Sequence, residues 1–221
     1  MSEIYSGFFV GITQTIIGHP LDTLKVLYQN KTPINNIKLS NLYRGWKFPM
    51  FSASIFSCTV YTAYERSYKY TNNHFISGAI AGVAVTPSIY LLDIGKIKQQ
   101  VNSPLKITDY YKTKGFTMTS CREILAMSVY FGSYNKSKNM GLDPLVAGGI
   151  AGLTNWTLTY PLDVIRTRQM ARNISIRQAL KEKQLWRGYS VCAIRAIIVN
   201  AANFKVYETV KPIFDSIIKI N

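Results

Sequence analysis

Four long stretches of the chain contain no Asp, Glu, Lys or Arg: between Glu3 and Asp22, from Phe48 to Tyr64, from Phe75 to Leu92, and from Pro144 to Leu162. Each has the length a helix needs to cross the hydrocarbon layer of a bilayer, roughly 17–25 residues. Two further stretches, Phe116–Tyr134 and Tyr189–Phe204, are apolar apart from Arg122, Glu123 and Arg195. The pattern predicts six membrane-spanning helices. Four uncharged runs in so short a chain do not read as the core of a soluble domain.

The six spans fall into three pairs. Asp22, Asp93 and Asp163 are 71 and then 70 apart in the numbering, Gly11, Gly82 and Gly152 again 71 and 70, and Tyr64, Tyr134 and Tyr207 70 and 73. Three markers in one register make the chain three copies of a two-span unit, with boundaries expected at 1–71, 72–141 and 142–221. The fold class expected is an all-α membrane protein: six transmembrane helices, arranged as three helical hairpins in a pseudo-threefold bundle and forming one integrated domain. Internal repeats of this kind are a common device of transporters, with the site near mid-membrane where the repeats meet.

Composition sharpens this reading. The 221 residues are 48% hydrophobic and 17% charged, with a formal charge of +15. So much apolar and aromatic residue excludes disorder. The three cysteines, Cys58, Cys121 and Cys192, are odd in number and lie in apolar stretches; they read as small buried hydrophobes rather than a disulfide framework. A basic balance invites a nucleic-acid partner, but its distribution explains it otherwise. The segments 22–47, 93–115 and 163–188, which follow the odd spans, carry 17 Lys and Arg against 5 Asp and Glu; the termini and the connections on the other side carry 7 against 5. The positive-inside rule puts the odd-helix ends on the inner side, the matrix in a mitochondrion, and both termini on the outer side. No nucleic-acid partner is expected, and anionic lipid takes up the remaining charge. The N-terminus Met1–Gly7 has neither the basic region nor the cleavage site of a secretory signal.

The odd spans end in a shared motif: Pro20-Leu21-Asp22-Thr23-Leu24-Lys25 with Gln29 after it, Leu91-Leu92-Asp93-Ile94-Gly95-Lys96 with Gln100, and Pro161-Leu162-Asp163-Val164-Ile165-Arg166. A glycine preceded by a basic residue follows each Asp at a nearly constant distance, as Arg44-Gly45, Lys114-Gly115 and Arg187-Gly188. A proline inside a helix removes a hydrogen bond and kinks it, so Pro20 and Pro161 let these helices converge. Asp and a base three residues apart share one helix face, and three such faces converging on an axis can form a ring of ion pairs. The threefold pattern resembles the mitochondrial carrier family, the solute carriers of the inner membrane, over essentially the whole chain. The resemblance implies pairs Asp22 with Lys96, Asp93 with Arg166 and Asp163 with Lys25, closing the cavity towards the matrix, with Gln29 and Gln100 as braces. It also implies cardiolipin at Arg44-Gly45, Lys114-Gly115 and Arg187-Gly188, where even helices begin with free backbone N–H groups.

The departures from the family pattern are local. Leu91 stands where proline is expected, with Pro87 one turn earlier; Met170 stands in the brace position, and Thr113 replaces an aromatic. The segment from Pro20 to Gly45 is short for the family, so the inner surface helices are trimmed. The outer motif of an aromatic, an acid and a base is intact in Tyr207-Glu208 with Lys211, whereas Tyr134 is followed by Asn135 and Lys138, and Tyr64-Glu65 has Tyr68 in place of the base. Only the pair of Glu65 with Lys138 survives in the expected outer gate, with the tyrosines left to compensate by hydrogen bonds.

Charges inside a span are costly and by default functional. Arg122 and Arg195 each lie seven residues after a glycine of the second motif, and Ser52 takes that position in repeat one. The three lie at one depth, and in carriers that depth holds the substrate contacts. Arg122 and Glu123, about 100° apart on a helix, are not expected to neutralise each other. Two cations and one anion suit a zwitterion with carboxylate and amine, similar to the substrates of the amino-acid, carnitine and S-adenosylmethionine branch, exchanged for a counter-substrate. A nucleotide is the alternative, and a channel or uncoupling protein ranks below both. The chain is rich in Lys, Asn, Ile and Tyr, a bias of AT-rich genomes that admits a viral or parasite source and a host mitochondrion. No metal-spaced Cys/His set or phosphate loop occurs, so no enzyme, metal or cofactor is expected, and a monomer suffices. His19 and His74 read as interfacial helix-end residues.

Overall fold

The computed structural model describes residues 2–32, 38–196, 198–199, 202, 209 and 213; the side-chain surroundings of 2–11, 51–54, 57 and 144–145 lie outside that description. Among the described residues the chain is helical without strands. The long helices are α1 (Ser2–Gln29), α3 (Lys47–Thr71), α4 (His74–Gln100), α6 (Phe116–Asn139) and α7 (Pro144–Arg172), and helical residues resume at 189–196. Each uncharged run is therefore the body of one helix, and α1, α4 and α7 continue past it through the Asp motif. Three short helices, α2 (Leu39–Leu42), α5 (Asp109–Lys112) and α8 (Ile176–Lys181), occupy the basic connections. One described helix, His74–Gln100, meets the length and hydropathy of a membrane span; the others carry more hydroxyl, amide and charged residues.

Local chemistry sets the ends. Asn72 caps α3 in the left-handed region, and Asn73 caps α4 by accepting from Phe75 and Ile76 N–H at 2.9 and 3.2 Å. Ser175 and Gln178 form a reciprocal capping box on α8. Two tight connections, at 72–73 and 140–143, thus fold α3 against α4 and α6 against α7. The α4–α6 contact is close because a Cβ on Gly78 or Gly82 would fall within about 2.5 Å of the Met127 or Glu123 carbonyl. Above it Val60, Tyr64, Ala81, Val85, Ala126, Met127 and Phe131 pack as one cluster.

Each odd-span helix carries one proline in its interior: Pro20, Pro87 and Pro161 lie inside α1, α4 and α7. Pro87 is thus within the helix body, six residues before Asp93, whereas its counterparts precede their Asp by two. Thr86 Oγ1 donates to the Gly82 carbonyl and Thr159 Oγ1 to the Asn155 carbonyl, at 2.7 and 2.8 Å, beside the gaps that Pro87 and Pro161 leave in the backbone ladder.

Candidate functional site

Three ion pairs join the motif ends of α1, α4 and α7 in a cycle. Lys96 Nζ lies 3.1 Å from Asp22 Oδ2, Arg166 Nη2 2.6 Å from Asp93 Oδ2, and Lys25 Nζ 2.6 Å from Asp163 Oδ2. Each acid takes its base from a neighbouring repeat, so the ring links all three. Gln29 Nε2 donates to Asp163 Oδ2 and Gln100 Nε2 to Thr23 Oγ1, both at 3.1 Å. Met170, in the third brace position, is fully buried in an apolar cluster with Val26 and Ile94. The space inside the ring is about 50 Å³.

The charged residues of the even helices reach this ring. Arg195 Nε lies 2.5 Å from Asp22 Oδ1, and Arg122 Nε is 4.0 Å from Asp163 Oδ1. Arg122 and Glu123 do neutralise each other, contrary to the expectation from helix geometry: Arg122 Nη1 is 2.5 Å from Glu123 Oε1. The long arginine stem spans the angular offset that separates the two Cβ atoms. Glu123 is 0% exposed, and its Oε1 also faces Arg166 Nη1 at 3.4 Å, while Oε2 has no partner among the described residues. The Trp156 indole, two turns before Asp163 on α7, lies close by, with Lys25 Nζ at 4.5 Å and Arg122 Cζ at 5.3 Å from its ring centre. Ser52 belongs to α3, and its side chain is outside the described residues.

The glycines that begin the even helices all have positive φ: +82° at Gly45, +132° at Gly115 and +88° at Gly188. Each also sits against the next repeat; a Cβ at Gly188 would stand 3.3 Å from Tyr28 Cβ and 3.4 Å from the Lys25 carbonyl of the first. A Cβ at Gly45 would stand 3.2 Å from the Lys96 carbonyl, at Gly115 3.3 Å from Met170 Cγ, and at Gly188 3.1 Å from the Tyr160 hydroxyl. Arg44 and Arg187 line the surface beside them, and a cleft of about 740 Å³ opens at Arg187–Gly188, lined also by Tyr28 and Trp186. Thr113, in the missing aromatic position, is buried, and its carbonyl accepts from the Tyr90 hydroxyl. His19 is buried rather than interfacial: its Nε2–H donates to the Arg44 carbonyl at 2.8 Å.

At the opposite end, Glu65 and Lys138 are both exposed and form no ion pair among the described residues. Lys138 Nζ instead stands 5.9 Å from the Tyr134 ring. The Tyr64 hydroxyl shares a 2.6 Å hydrogen bond with His74 Nδ1 and accepts from Asn135 Nδ2 at 3.3 Å; Tyr68 stacks on His74. The two positions that lost their charge, Tyr68 and Asn135, are thus gathered around Tyr64. Tyr207, Glu208 and Lys211 lie outside the described residues. Cys192 is buried as expected, but Cys58 and Cys121 are exposed.

Several contributors were not singled out from the sequence. Arg168 is fully buried and donates to the carbonyls of Gln29, Ala179, Lys183 and Gln184 at 2.9–3.3 Å, tying the end of α1 to the connection after α8. Asn102 and Asn173 end α4 and α7 in the left-handed region; Asn102 Oδ1 accepts from Arg44, and Asn173 Oδ1 from the Lys114 N–H at 2.8 Å. The two asparagines stand one repeat interval apart, which was the available signal. Trp156 carried no such signal.

The family model described as mitochondrial carrier protein matches residues 141–217. The chain is similar to a mitochondrial substrate carrier family protein of Dictyostelium discoideum, with 27% identity over 95% of this chain and 96% of the relative. It is 28% identical to a mitochondrial arginine transporter of Arabidopsis thaliana over 93% of this chain and 89% of the relative. A human mitochondrial carnitine/acylcarnitine carrier protein is 24% identical over 94% and 92%. The first alignment is longer than the chain itself, so the relative carries insertions that this chain lacks.

Proposed function

We propose that the chain is a member of the mitochondrial carrier family, to which its final third and its relatives along most of its length are similar, and that as an inner-membrane transporter it exchanges a small zwitterionic metabolite, amino-acid-like or carnitine-like, by alternating access. The observation that carries the reading is the pairing of Arg122 with Glu123 beside the ring: a fixed cation and a fixed anion at one depth match a carboxylate and an ammonium on one molecule. Arg195 supplies a second cation for the carboxylate. The similarity to carriers named for arginine, basic amino acids and carnitine supports the same class. A nucleotide is the second reading, favoured by one contact: Glu123 is already neutralised by Arg122 and Arg166 and so repels phosphate less than its charge suggests.

In this reading the ring of Asp22, Asp93 and Asp163 with Lys96, Arg166 and Lys25 closes the matrix end, and Gln29 and Gln100 brace it. The charge asymmetry of the connections supports termini facing the intermembrane space. Positive-φ glycines beside basic residues support cardiolipin at Arg44-Gly45, Lys114-Gly115 and Arg187-Gly188. No further cofactor and no second copy of the chain is required for this cycle.

The test is exchange in cardiolipin-containing liposomes loaded with basic and neutral amino acids, carnitine or deoxynucleotides. Counter-exchange of an amino acid or carnitine that is lost in Arg122→Ala and Arg195→Ala supports the reading. Exchange of nucleotides alone overturns it, and conductance without saturation replaces the carrier with a channel.

A further inference from the structure

Three residues follow the ends of α1, α4 and α7 in the left-handed region, each 71 from the last in the numbering: Lys31, Asn102 and Asn173, with φ +56°, +57° and +54°. The two asparagines reach across to the basic residue that precedes the glycine of the preceding repeat. Asn102 Oδ1 accepts from the Arg44 guanidinium, and Asn173 Oδ1 from the Lys114 backbone N–H at 2.8 Å. At each of these seams a carboxamide oxygen takes a donor that would otherwise turn to a phosphate oxygen.

The third seam, between the third repeat and the first, is built differently. A lysine has three donors and no acceptor, so Lys31 cannot do for Arg187 what the asparagines do. Its Nζ instead donates to the Glu182 carbonyl at 3.3 Å and stands 3.8 Å from Glu182 Oε2. Arg187 bonds within its own repeat, its N–H and Nη1 donating to the carbonyl and Oε1 of Gln184 at 3.2 and 3.1 Å. Exposure follows the same division. Gly45 and Gly115 are buried, whereas Gly188 is half-buried. Beside Gly188 opens the cleft of about 740 Å³, with Tyr28 and Trp186 in its walls.

We propose that Asn102 and Asn173 stand in for lipid phosphate at two of the three seams, so that the chain carries one tight cardiolipin site, at Arg187-Gly188, and two seams that it closes by itself. This rests on the cardiolipin reading above and narrows it. At Arg44 and Lys114 a lipid must first displace an amide of the protein, whereas Arg187 already lines an open cleft whose aromatic walls suit acyl chains.

The test counts the cardiolipins bound to the full, delipidated chain by native mass spectrometry during a titration with cardiolipin. Wild type should hold one cardiolipin at least about tenfold more tightly than any further one. Arg187→Gln should weaken that lipid about tenfold or more, and Arg44→Gln should leave it in place. Asn102→Gly and Asn173→Gly delete the carboxamide while suiting the positive φ; each should add a second lipid of comparable affinity, and the double variant a third. Asn102→Asp, which keeps an acceptor for Arg44, should leave the count at one. Three equivalent lipids on wild type, equal losses in Arg187→Gln and Arg44→Gln, or a count unchanged in both glycine variants would overturn the role of the asparagines while leaving the cardiolipin reading intact. No bound lipid on wild type or any variant would overturn that reading itself. The lipid-free melting temperature shows whether each variant folds, and the two arginine variants decide the matter should the glycine variants fail to.

Discussion

Arg195 Nε lies 2.5 Å from Asp22 Oδ1, while Lys96 Nζ holds Oδ2 of the same carboxylate at 3.1 Å. One acid thus bridges a base of the next odd helix and an arginine proposed to bind substrate. Removing Asp22 leaves two cations uncompensated, whereas removing either base leaves the acid one partner. Loss of one member of a buried pair costs about 3–5 kcal/mol when nothing replaces it. We expect Asp22→Ala to lower the melting temperature more than Lys96→Ala or Arg195→Ala does. Equal losses in the three variants would show that Asp22 does not bridge both.

The charge exchange Asp22→Lys with Lys96→Asp tests the pairing itself. Each single reversal sets like charges near the 3.1 Å separation of the present pair, and the repulsion should reduce exchange at least about tenfold. The double variant should recover part of that loss, since coupled residues in contact are not additive. Recovery will be incomplete, because Arg195 would then face a lysine. The readout is counter-exchange in liposomes, and a double variant no better than the singles would contradict the pairing.

Glu123→Gln separates the substrate classes. For an amino-acid-like substrate it removes the counter-charge of the ammonium, and uptake should fall about tenfold or more. For a nucleotide, uptake should hold or rise. Initial rates on the two classes of solute decide between them.

Gly188 has φ +88°, and a Cβ there would meet the Tyr160 hydroxyl at 3.1 Å and the Lys25 carbonyl at 3.4 Å. Gly188→Ala should therefore cost about 1–2 kcal/mol from the left-handed backbone alone, with crowding added. Gly148, inside α7 and with no atom of the described residues within 4 Å of a Cβ built there, is the control: Gly148→Ala should be neutral or slightly stabilising. Melting temperatures of the two variants check this.

Glu182 follows α8, outside the spans, and its carboxyl is held below the usual range, first by hydrogen bonds from Arg172 at 2.7 and 3.1 Å and then by the charges of Arg168 and Lys31. Because the folded value is lowered, its contribution to stability is present above the unfolded value of about 4.3 and is lost as pH falls through the folded one. Wild type should lose melting temperature on acidification below about pH 5, and Glu182→Gln should flatten that part of the profile. Lys31 comes from the first repeat, so the same variant should loosen the contact between the first and third.

The linear pattern of this chain determined its described helices and the faces that carry the Asp–base motifs. Those are properties of local periodicity: uncharged runs of span length, a threefold register, and i,i+3 spacing. The depth shared by Arg122 and Arg195 followed from counting along the even helices. What the tertiary structure alone decided is where the long side chains end. Arginine and lysine place their charge several bonds from the backbone, so helical angle does not fix their partners. That is why Arg122 reaches its own neighbour Glu123, why Arg195 settles on Asp22, and why Glu65 and Lys138 stay apart. It is also why Trp156, an unremarked aromatic in an apolar run, comes to lie beneath two cations: α1, α6 and α7 converge there, and convergence is a property of packing between distant segments that no local pattern encodes.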